Sequence, residues 1–525
     1  MALRDKSFSE HEQTQYIAGL SSQRVLSKPD SELRVHVHGE DHRMATNSAE
    51  RPITKVGHTE EKRLRLKVDL HIIPPIAILY LFSCISRANI GNAKIAGLEE
   101  DLHLTGNNYN IVLTAFYTSY IIFRIPSTLL CKRLGPRLWL PVIALGCGLL
   151  TLCTAVCNNI HTLCVVRFFF GLFDAGMLPG IAYYLSRWYP RKEFGSRLSL
   201  YIVMAPLAGA FGGLLASGIL SLDHFGRFHR WRMLFMVDGI IFCGLSVVGF
   251  FTIFDSPLSA RWLSKEEKAF VIGRVQSERP VSTEFLDDIS FARSRRGIFN
   301  PVTITTGLIF LLINVTAGGL QFFAPTIVRT IYPDSSTVSQ QLRTVPPYAV
   351  GAFFTILYPF LGWRLDRSNI FIILAALPII VGYIMLLATQ TPQIRWAALF
   401  FVASGVYPYG ALCDAQISAN VISDTARSAA IGTNIMLGTC GGLISIWMWL
   451  PRDSPKYRIG NGTNLATSSV ALIVAVLLHL WVRFDNGRRN TREMSTAELA
   501  GLDQDQAQDQ AQDLEWRHPA FRWKL

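Results

Sequence analysis

The sequence predicts an all-α polytopic membrane protein with about twelve transmembrane helices in two groups of six. Half of its 525 residues are hydrophobic and 17% are charged, whereas an ordinary soluble domain is about 25% charged. Apolar runs long enough to cross about 30 Å of hydrocarbon recur from Val68 to Trp481. A polar stretch from Asp255 to Asn300 divides them into two groups. Lipid is therefore the expected solvent of this chain.

Polar breaks between the apolar runs give the expected limits of each span. The first group is expected at 68–88, 109–130, 138–157, 163–186, 196–220 and 232–254. The second group is expected at 301–328, 345–362, 370–389, 394–413, 427–450 and 466–482. The expected domains are a disordered cytoplasmic tail (1–67), a six-helix bundle (68–254), a cytoplasmic linker (255–300), a second six-helix bundle (301–482) and a cytoplasmic tail (483–525). The first tail lacks the apolar stretch of a cleavable signal peptide, so the first span is expected to direct insertion.

The distribution of Lys and Arg predicts the orientation in the membrane. Basic residues concentrate before the first span, in the second and fourth loops, in the linker and after the last span. Because cytoplasmic loops are enriched in Lys and Arg, both termini are expected in the cytoplasm. The basic fifth loop, Asp223–Arg232, departs from this bias. Asn461 begins an Asn-Gly-Thr sequence and is a candidate glycosylation site on the outer side.

The first span ends in a cluster of cations and amides. Charged side chains inside a bilayer are costly and rare, so each is a functional candidate unless it reaches an interface. Arg87 and Asn89 could present donors to a carboxylate, which Arg can bind through two hydrogen bonds. Snorkelling into headgroups is the alternative for Arg87 and is favoured for Lys94.

The fourth span contains Arg167 and Asp174, seven residues apart and therefore on one helical face. Asp174 could take and release a proton, while Arg167 could hold an anion or interact with Asp174. The alternative is a structural ion pair between helices. Gly171, Gly176 and Gly180 in this span allow close helix contact.

Three further positions carry charges in or near spans. Arg124 in the second span could bind substrate or reach the cytoplasmic surface, and the latter is favoured. Asp238 in the sixth span could carry a proton or pair with Arg232, and the pairing is favoured. Asp366 and Arg367 join two spans of the second half and are expected to form a conformational latch.

Several function classes find no support in the sequence. The net charge of +12 is spread over tails and alternate loops instead of one face, which argues against nucleic acid as a partner. The nine cysteines form no Cys-x-x-Cys metal motif and are expected to be small core residues. No phosphate-binding Gly-x-x-x-x-Gly-Lys loop or His-Glu-x-x-His sequence occurs, so neither an enzyme nor a cofactor is expected. The function class that remains is a carrier driven by a gradient of ions or of substrate.

The arrangement of six spans, basic linker and six spans, with the Gly-x-x-x-Asp-Arg sequence Gly362–Arg367, resembles the major facilitator superfamily. Four segments are similar to its fungal anion:cation symporter family, which includes allantoate, nicotinate and vitamin permeases. These segments are Asn89–Leu98, Arg167–Gly180, Leu185–Tyr189 and Asp453–Tyr457. The resemblance covers nearly all of Val68–Trp481 and implies two pseudo-symmetric six-helix bundles around a central cavity.

The resemblance implies proton-coupled uptake of a small carboxylate at the plasma membrane by a single chain. The sequence departs from the family at four positions: Ser86 replaces an acid, Arg124 replaces Glu, and Asp174 and Asp238 replace Glu. These changes remove negative charge from the expected path and should favour anionic cargo. Export of an acidic metabolite, passage of a neutral solute, nutrient sensing through the tails and intramembrane catalysis are the alternatives.

Overall fold

The computed structural model of the chain describes residues 58–189, 197, 200–222, 230–277, 291–491, 516 and 521–524, and its long elements are helices. Twelve of them correspond to the predicted spans. They are α1 (His58–Ala93), α2 (Asn108–Leu134), α3 (Pro136–Ala155), α4 (Ile160–Ser186), α5 (Leu200–Leu220), α6 (Trp231–Thr252), α7 (Pro301–Ile331), α8 (Thr337–Leu365), α9 (Ser368–Ala388), α10 (Pro392–Ala419), α11 (Asp424–Ile446) and α12 (Arg458–Thr491). The predicted all-α membrane fold is confirmed.

Within the described ranges, eleven of these helices are long and apolar enough to cross a membrane. The twelfth, α2, has 27 residues and a more polar composition that includes Asn108, Asn110 and Arg124. Asn110 and Arg124 are buried and contact the second half of the chain, as described below. Helix α2 therefore has the length of a span and faces the second half with two of its polar side chains.

The first and last helices extend beyond the predicted spans. Helix α1 begins at His58, so residues 58–67 of the expected N-terminal tail are helical. Helix α12 continues to Thr491, into the expected C-terminal tail. An apolar run indicates only the part of a helix that lies within the hydrocarbon of the bilayer. The helix itself continues for as long as the following residues favour helical backbone hydrogen bonding. The expected disorder of residues 1–57 lies outside the described residues, as does most of the C-terminal tail after residue 491.

Two helices of the first half are interrupted, one at the end of α1 and the other within α4. Helix α1 passes into a π-helical turn at Lys94–Leu98, where Gly97 has φ 102°, a conformation that glycine adopts readily. Helix α4 is broken between Asp174 and Met177, and Gly176 packs there against Ser127. The break leaves Asp174 at the end of a helical segment in the protein interior.

The two halves, α1–α6 and α7–α12, meet closely where α1 ends and α2 begins. We call this the far side and the opposite side, where α1 begins and α12 ends, the terminal side. On the far side Asn110 Nδ2 donates to Ile446 O at 2.6 Å, and Gln341 Nε2 donates to Asn92 O at 3.3 Å. A Cβ at Gly91 would lie 2.5 Å from Phe322 O, so the backbones are in direct contact.

The linker includes the helices Lys265–Ser277 and Phe291–Ile298 on the terminal side. Lys67 of α1 contacts the first of them through Glu267, with 2.8 Å between Nζ and Oε2. Partial burial raises the pKa of Glu267, but hydrogen bonds from Lys67 and the Ser264 backbone outweigh burial and lower this pKa overall. The ion pair fastens the linker to the first half.

A short C-terminal segment, residues 521–524, packs on the terminal side of the second half. Trp523 is 4% exposed, and its Nε1 donates to Asp485 Oδ2 of α12 at 2.7 Å. The backbone of Lys524 exchanges two hydrogen bonds with the Asn420 side chain just after α10, at 2.8 and 3.0 Å. The segment therefore connects the ends of α10 and α12.

Candidate functional site

An ion pair lies at the centre of the first half. Arg87 Nη2 of α1 lies 2.6 Å from Asp174 Oδ2 of α4, and the Asp174 side chain is completely buried. Ser83 Oγ donates to the other carboxylate oxygen of Asp174. Asp174 Oδ2 accepts no hydrogen bond among the described residues, so Arg87 contacts it as an ion pair, and the pair joins the interrupted part of α4 to α1.

A second arginine lies against the same aromatic ring as Arg87. The guanidinium carbons of Arg87 and Arg124 lie 5.1 and 5.2 Å from the centre of the Tyr120 ring. Arg124 Nη1 donates to Thr439 Oγ1 of α11 at 3.1 Å, while its buried Nη2 has no hydrogen-bond partner among the described residues. Arg124 thus connects the two halves and retains donor capacity.

We call Ser83, Arg87, Tyr120, Arg124, Asp174 and Thr439 the central cluster. It contains two cationic groups and one carboxylate. Since Asp174 offsets one of the two arginines, the cluster has an excess of one positive charge. A buried cation is costly without a partner, and a bound anion would supply one. The arrangement is suited to holding a small anion between the two halves.

A second set of polar residues, the α6 cluster, comprises Ser86, Asn89, Arg167 and Asp238. Asp238 Oδ2 accepts hydrogen bonds from Ser86 Oγ at 2.8 Å and Asn89 Nδ2 at 2.9 Å. Arg167 Nη1 lies 3.4 Å from Ser86 O, to which it donates. The Arg167 guanidinium also lies over the rings of Phe170 and Phe235. Ser86 and Arg87 are adjacent in sequence and so link the two clusters.

The alternative of an ion pair between helices is found at Asp174, whose partner is Arg87 of α1. Arg167 lies seven residues from Asp174, which separates their side-chain origins by about 10 Å along α4. One favoured pairing is wrong, because Arg232 pairs with Asp101 instead of Asp238. Asp238 lies nearly two turns deeper in α6 than Arg232, on another face, and there contacts Ser86.

Lys94 and Arg124 are not extended to membrane surfaces, contrary to the favoured interpretation. Lys94 is 8% exposed, lies 4.2 Å from the centre of the Tyr109 ring and pairs with Glu99 at 3.2 Å. Arg124 is also 8% exposed and faces α11. Aromatic rings and polar partners within the bundle provide alternatives to the headgroup region.

The other predicted site residues are peripheral. Asp366 and Arg367 lie at the turn between α8 and α9 with exposed side chains, and the Arg367 backbone donates to Gly362 O at 3.0 Å. Asn461 is 2% exposed and lies in the first turn of α12, where its amide donates to Lys456 O at 3.2 Å. Its side chain is not displayed on the surface in this conformation.

Sequence reasoning missed several neighbours of the arginines. Tyr120 precedes Arg124 by four residues, a spacing that places both on one helical face and could have identified it. Thr439 has no such signal, because only tertiary packing brings α11 next to α2. Asn434 of α11 also donates to Asp414 of α10 at 2.9 Å, which places a carboxylate in the second half.

Comparisons with known proteins agree with this architecture. Residues 76–448 match the model of the Major Facilitator Superfamily. An uncharacterized transporter of Schizosaccharomyces pombe is 32% identical over 84% of this chain and 87% of its own length. The high-affinity nicotinic acid transporter of Saccharomyces cerevisiae is 28% identical over 85% of this chain and 82% of its own length.

A bacterial homologue of the human lysosomal transporter Spinster, in an inward-facing and occupied conformation, has a similar fold. Its TM-score is 0.60 at 15% identity, with 80% of this chain and 97% of that chain covered. At this identity the likeness concerns the fold alone, whereas the family match covers most of the chain. The chain belongs to the Major Facilitator Superfamily and is a multi-pass membrane transporter, not an enzyme.

Proposed function

We propose that this transporter carries a small organic anion, in particular a carboxylate, together with protons. The observation that carries the proposal is the pair of arginines that both lie against the ring of Tyr120. Arg124 has an unused Nη2 donor, and Arg87 is the only described arginine paired with Asp174. Guanidinium groups bind carboxylates through paired hydrogen bonds, so these two positions are the candidate ligands, with Asn89 and Arg167 nearby.

Alternating access would expose this site to each side of the membrane in turn. Arg124 belongs to the first half and its partner Thr439 to the second, so a ligand bound there would contact both moving parts. Such contacts are what a carrier needs to couple binding with movement of its halves. Asp366 and Arg367 remain candidates for a latch on the terminal side during this movement.

Proton coupling is part of the proposal because buried carboxylates lie beside the arginines. Asp174 and Asp238 are both completely buried in the first half, and a carboxylate that changes protonation alters the local charge by one unit. The similar yeast protein named as a nicotinic acid transporter supports a carboxylate as cargo. Export of an acidic metabolite would use the same chemistry with the gradients reversed.

We further propose a plasma-membrane location with cytoplasmic termini and a monomeric working unit. The basic flanks of the spans support this orientation. The described helices support the domain arrangement of two six-helix bundles joined by a cytoplasmic linker. Asn461 would then face the outside, where glycosylation would require its side chain to leave the buried position.

Uptake by whole cells tests the proposed function. The full chain is expressed in yeast that lacks its own carboxylate permeases, and uptake of labelled nicotinate, pantothenate, biotin and allantoate is measured at acidic and neutral pH. We expect saturable uptake of one carboxylate that a protonophore abolishes. If cells with surface-localised protein accumulate none of these compounds and export none after loading, anion transport of this class is contradicted.

A further inference from the structure

The two buried carboxylates of the first half differ in their partners: only Asp174 forms an ion pair among the described residues. Asp174 forms an ion pair with Arg87 and receives a hydrogen bond from Ser83. Asp238 receives hydrogen bonds only from the neutral groups of Ser86 and Asn89, both on Oδ2. Its Oδ1 is buried without a hydrogen-bond partner among the described residues. The two carboxylates therefore differ in what protonation would cost.

We propose that Asp238 takes up and releases the coupled proton, whereas Asp174 stays ionised and positions Arg87 for the anion. The inference rests on the proposed function and deepens it by assigning different tasks to the two candidate carboxylates. It places the proton site on α6, beside the anion site instead of within it.

Protonation of Asp174 would disrupt the anion site. A neutral Asp174 would leave Arg87 with no charged carboxylate at 2.6 Å, and removing one charge of a buried ion pair is strongly destabilising because the other charge is left buried without a partner. It would also change the position of the guanidinium over Tyr120. Asp174 is therefore better suited to a fixed charge that orients Arg87.

Protonation of Asp238 breaks no ion pair. The hydroxyl of Ser86 can accept a hydrogen bond as well as donate one, so it can serve either form of the carboxyl group. Asn89 keeps its second contact, since its Oδ1 accepts from Asn92 Nδ2 at 3.0 Å. The unpartnered Oδ1 of Asp238 offers a place for the proton without displacing a protein donor.

Among the charged groups around Asp238, Arg167 is the one that can respond to a change in the protonation of Asp238. Elements packed against α6 are α1, α3 and α5, and Arg167 of α4 lies close to Ser86. The charged or titratable groups of these four helices near the two clusters are Tyr80, Cys84, Arg87, Lys94, Cys147, Arg167, Asp174 and Tyr201. Arg87 and Lys94 already pair with Asp174 and Glu99. Arg167 is 3% exposed, and its Nε and Nη2 have no hydrogen-bond partner among the described residues.

This geometry gives the proton a route to influence anion binding. An ionised Asp238 attracts the free donors of Arg167, and a protonated Asp238 releases them. Both groups hold Ser86, through its hydroxyl and its carbonyl oxygen respectively. Since Ser86 precedes Arg87 in α1, a change at Asp238 can shift the backbone that carries the anion ligand. The proton and the anion would then be linked without sharing a carboxylate.

Infrared spectroscopy tests the assignment without knowledge of the cargo. The purified full chain in lipid is compared at acidic and alkaline pH, and the carbonyl stretch of a protonated carboxylic acid is measured in the difference spectrum. We expect Asp238→Asn to remove a band that Asp174→Asn and the exposed control Asp334→Asn retain. Loss of the band in Asp174→Asn alone, or its persistence in Asp238→Asn, would overturn the proposal.

A transport assay adds a functional arm with labelled nicotinate in proteoliposomes. We expect Asp238→Asn to lose accumulation driven by a pH gradient but to retain exchange of internal for external nicotinate. Asp174→Asn should lose both, because Arg87 is no longer held in place. If Asp238→Asn retained gradient-driven accumulation, the proposal would be wrong. If the unaltered chain transported no nicotinate, nicotinate would be excluded as a cargo. The infrared result would still decide which carboxylate is the proton site.

Discussion

At the scale of the residue, the central cluster distinguishes two arginines by their partners. Arg87 forms an ion pair with Asp174, whereas Arg124 contacts the hydroxyl of Thr439 and the ring of Tyr120. Arg124 also interacts electrostatically with the Asp414 carboxylate of α10, but the two form no ion pair among the described residues. A hydroxyl and an aromatic ring stabilise a cation less than a carboxylate does. A bound anion would therefore stabilise Arg124 more than Arg87, and Arg124 is the first residue to substitute.

We expect Arg124→Ala to weaken carboxylate uptake by about 10-fold or more, since hydrogen bonds to charged groups contribute about 1.5–3 kcal/mol. Arg124→Lys should recover only part of the activity, because Lys lacks the planar pair of donors. Initial uptake rates over a range of substrate concentrations test this. Arg452→Ala, at an exposed position between α11 and α12, is the matched control. Unchanged KM and maximal rate in Arg124→Ala would exclude it as a ligand.

Tyr120 is expected to act through its ring face, not its hydroxyl. Tyr120→Phe should keep the KM for the carboxylate, whereas Tyr120→Leu should raise it about fivefold, since a cation–π contact contributes about 0.5–2 kcal/mol. Both variants are compared by uptake kinetics at equal surface expression. Equal losses in the two variants would instead assign the effect to the hydroxyl.

At the scale of the element, close backbone contacts on the far side depend on small residues. Gly91 of α1 lies against the backbone of Phe322 in α7. A methyl group there meets backbone instead of a flexible side chain, so the helices must separate. One methyl group added at Gly91 is therefore enough to disturb the contact between the two halves on the far side.

We expect Gly91→Ala to shift the protein towards conformations that are open on the far side. The measurement is the rate of maleimide labelling of a cysteine introduced at Gln341, which is fully buried in this conformation. Labelling should accelerate in Gly91→Ala. The control is Gly218→Ala in α5, where a Cβ would meet no atom within 4 Å. Identical labelling rates in both variants would contradict the role of this contact.

The C-terminal segment is expected to stabilise the terminal ends of α10 and α12. Removing residues 521–525 deletes the buried Trp523 ring and its hydrogen bond to Asp485. We expect a lower Tm in detergent, because burial of one large apolar side chain contributes about 1.5–3 kcal/mol. Trp523→Ala should reproduce most of the loss. Lys524→Ala should not, since its contacts to Asn420 use the backbone; a comparable loss there would contradict this account.

At the scale of the whole molecule, the described contacts between the halves are those of a protein closed on the far side. Asn110, Tyr109 and Gln341 each donate across the boundary to a backbone carbonyl of the other half. Transport by alternating access requires these hydrogen bonds to break in every cycle. They are individually modest, which suits a boundary that must open and close.

Fixing the far side closed should therefore stop transport. We expect a chain with cysteines at positions 110 and 446 to lose uptake after treatment with an oxidant or a short bismaleimide, and oxidised samples to recover with a reductant. Either cysteine alone should remain active after the same treatment. A fully cross-linked chain that still transports at the original rate would exclude separation of the halves at this point.

The membrane fold could be predicted from the sequence, because long apolar runs and the polar breaks between them are local properties that need no partner. The candidate charged residues could also be predicted, since a charge within an apolar run is evident from the sequence alone; they are Arg87, Arg124, Arg167, Asp174 and Asp238. The pairings required the folded structure: Asp174 with Arg87, Asp238 with Ser86 and Asn89, and Arg124 with Thr439. The reason is that spacing along a helix fixes which residues share a face, whereas partners on other helices depend on how those helices pack.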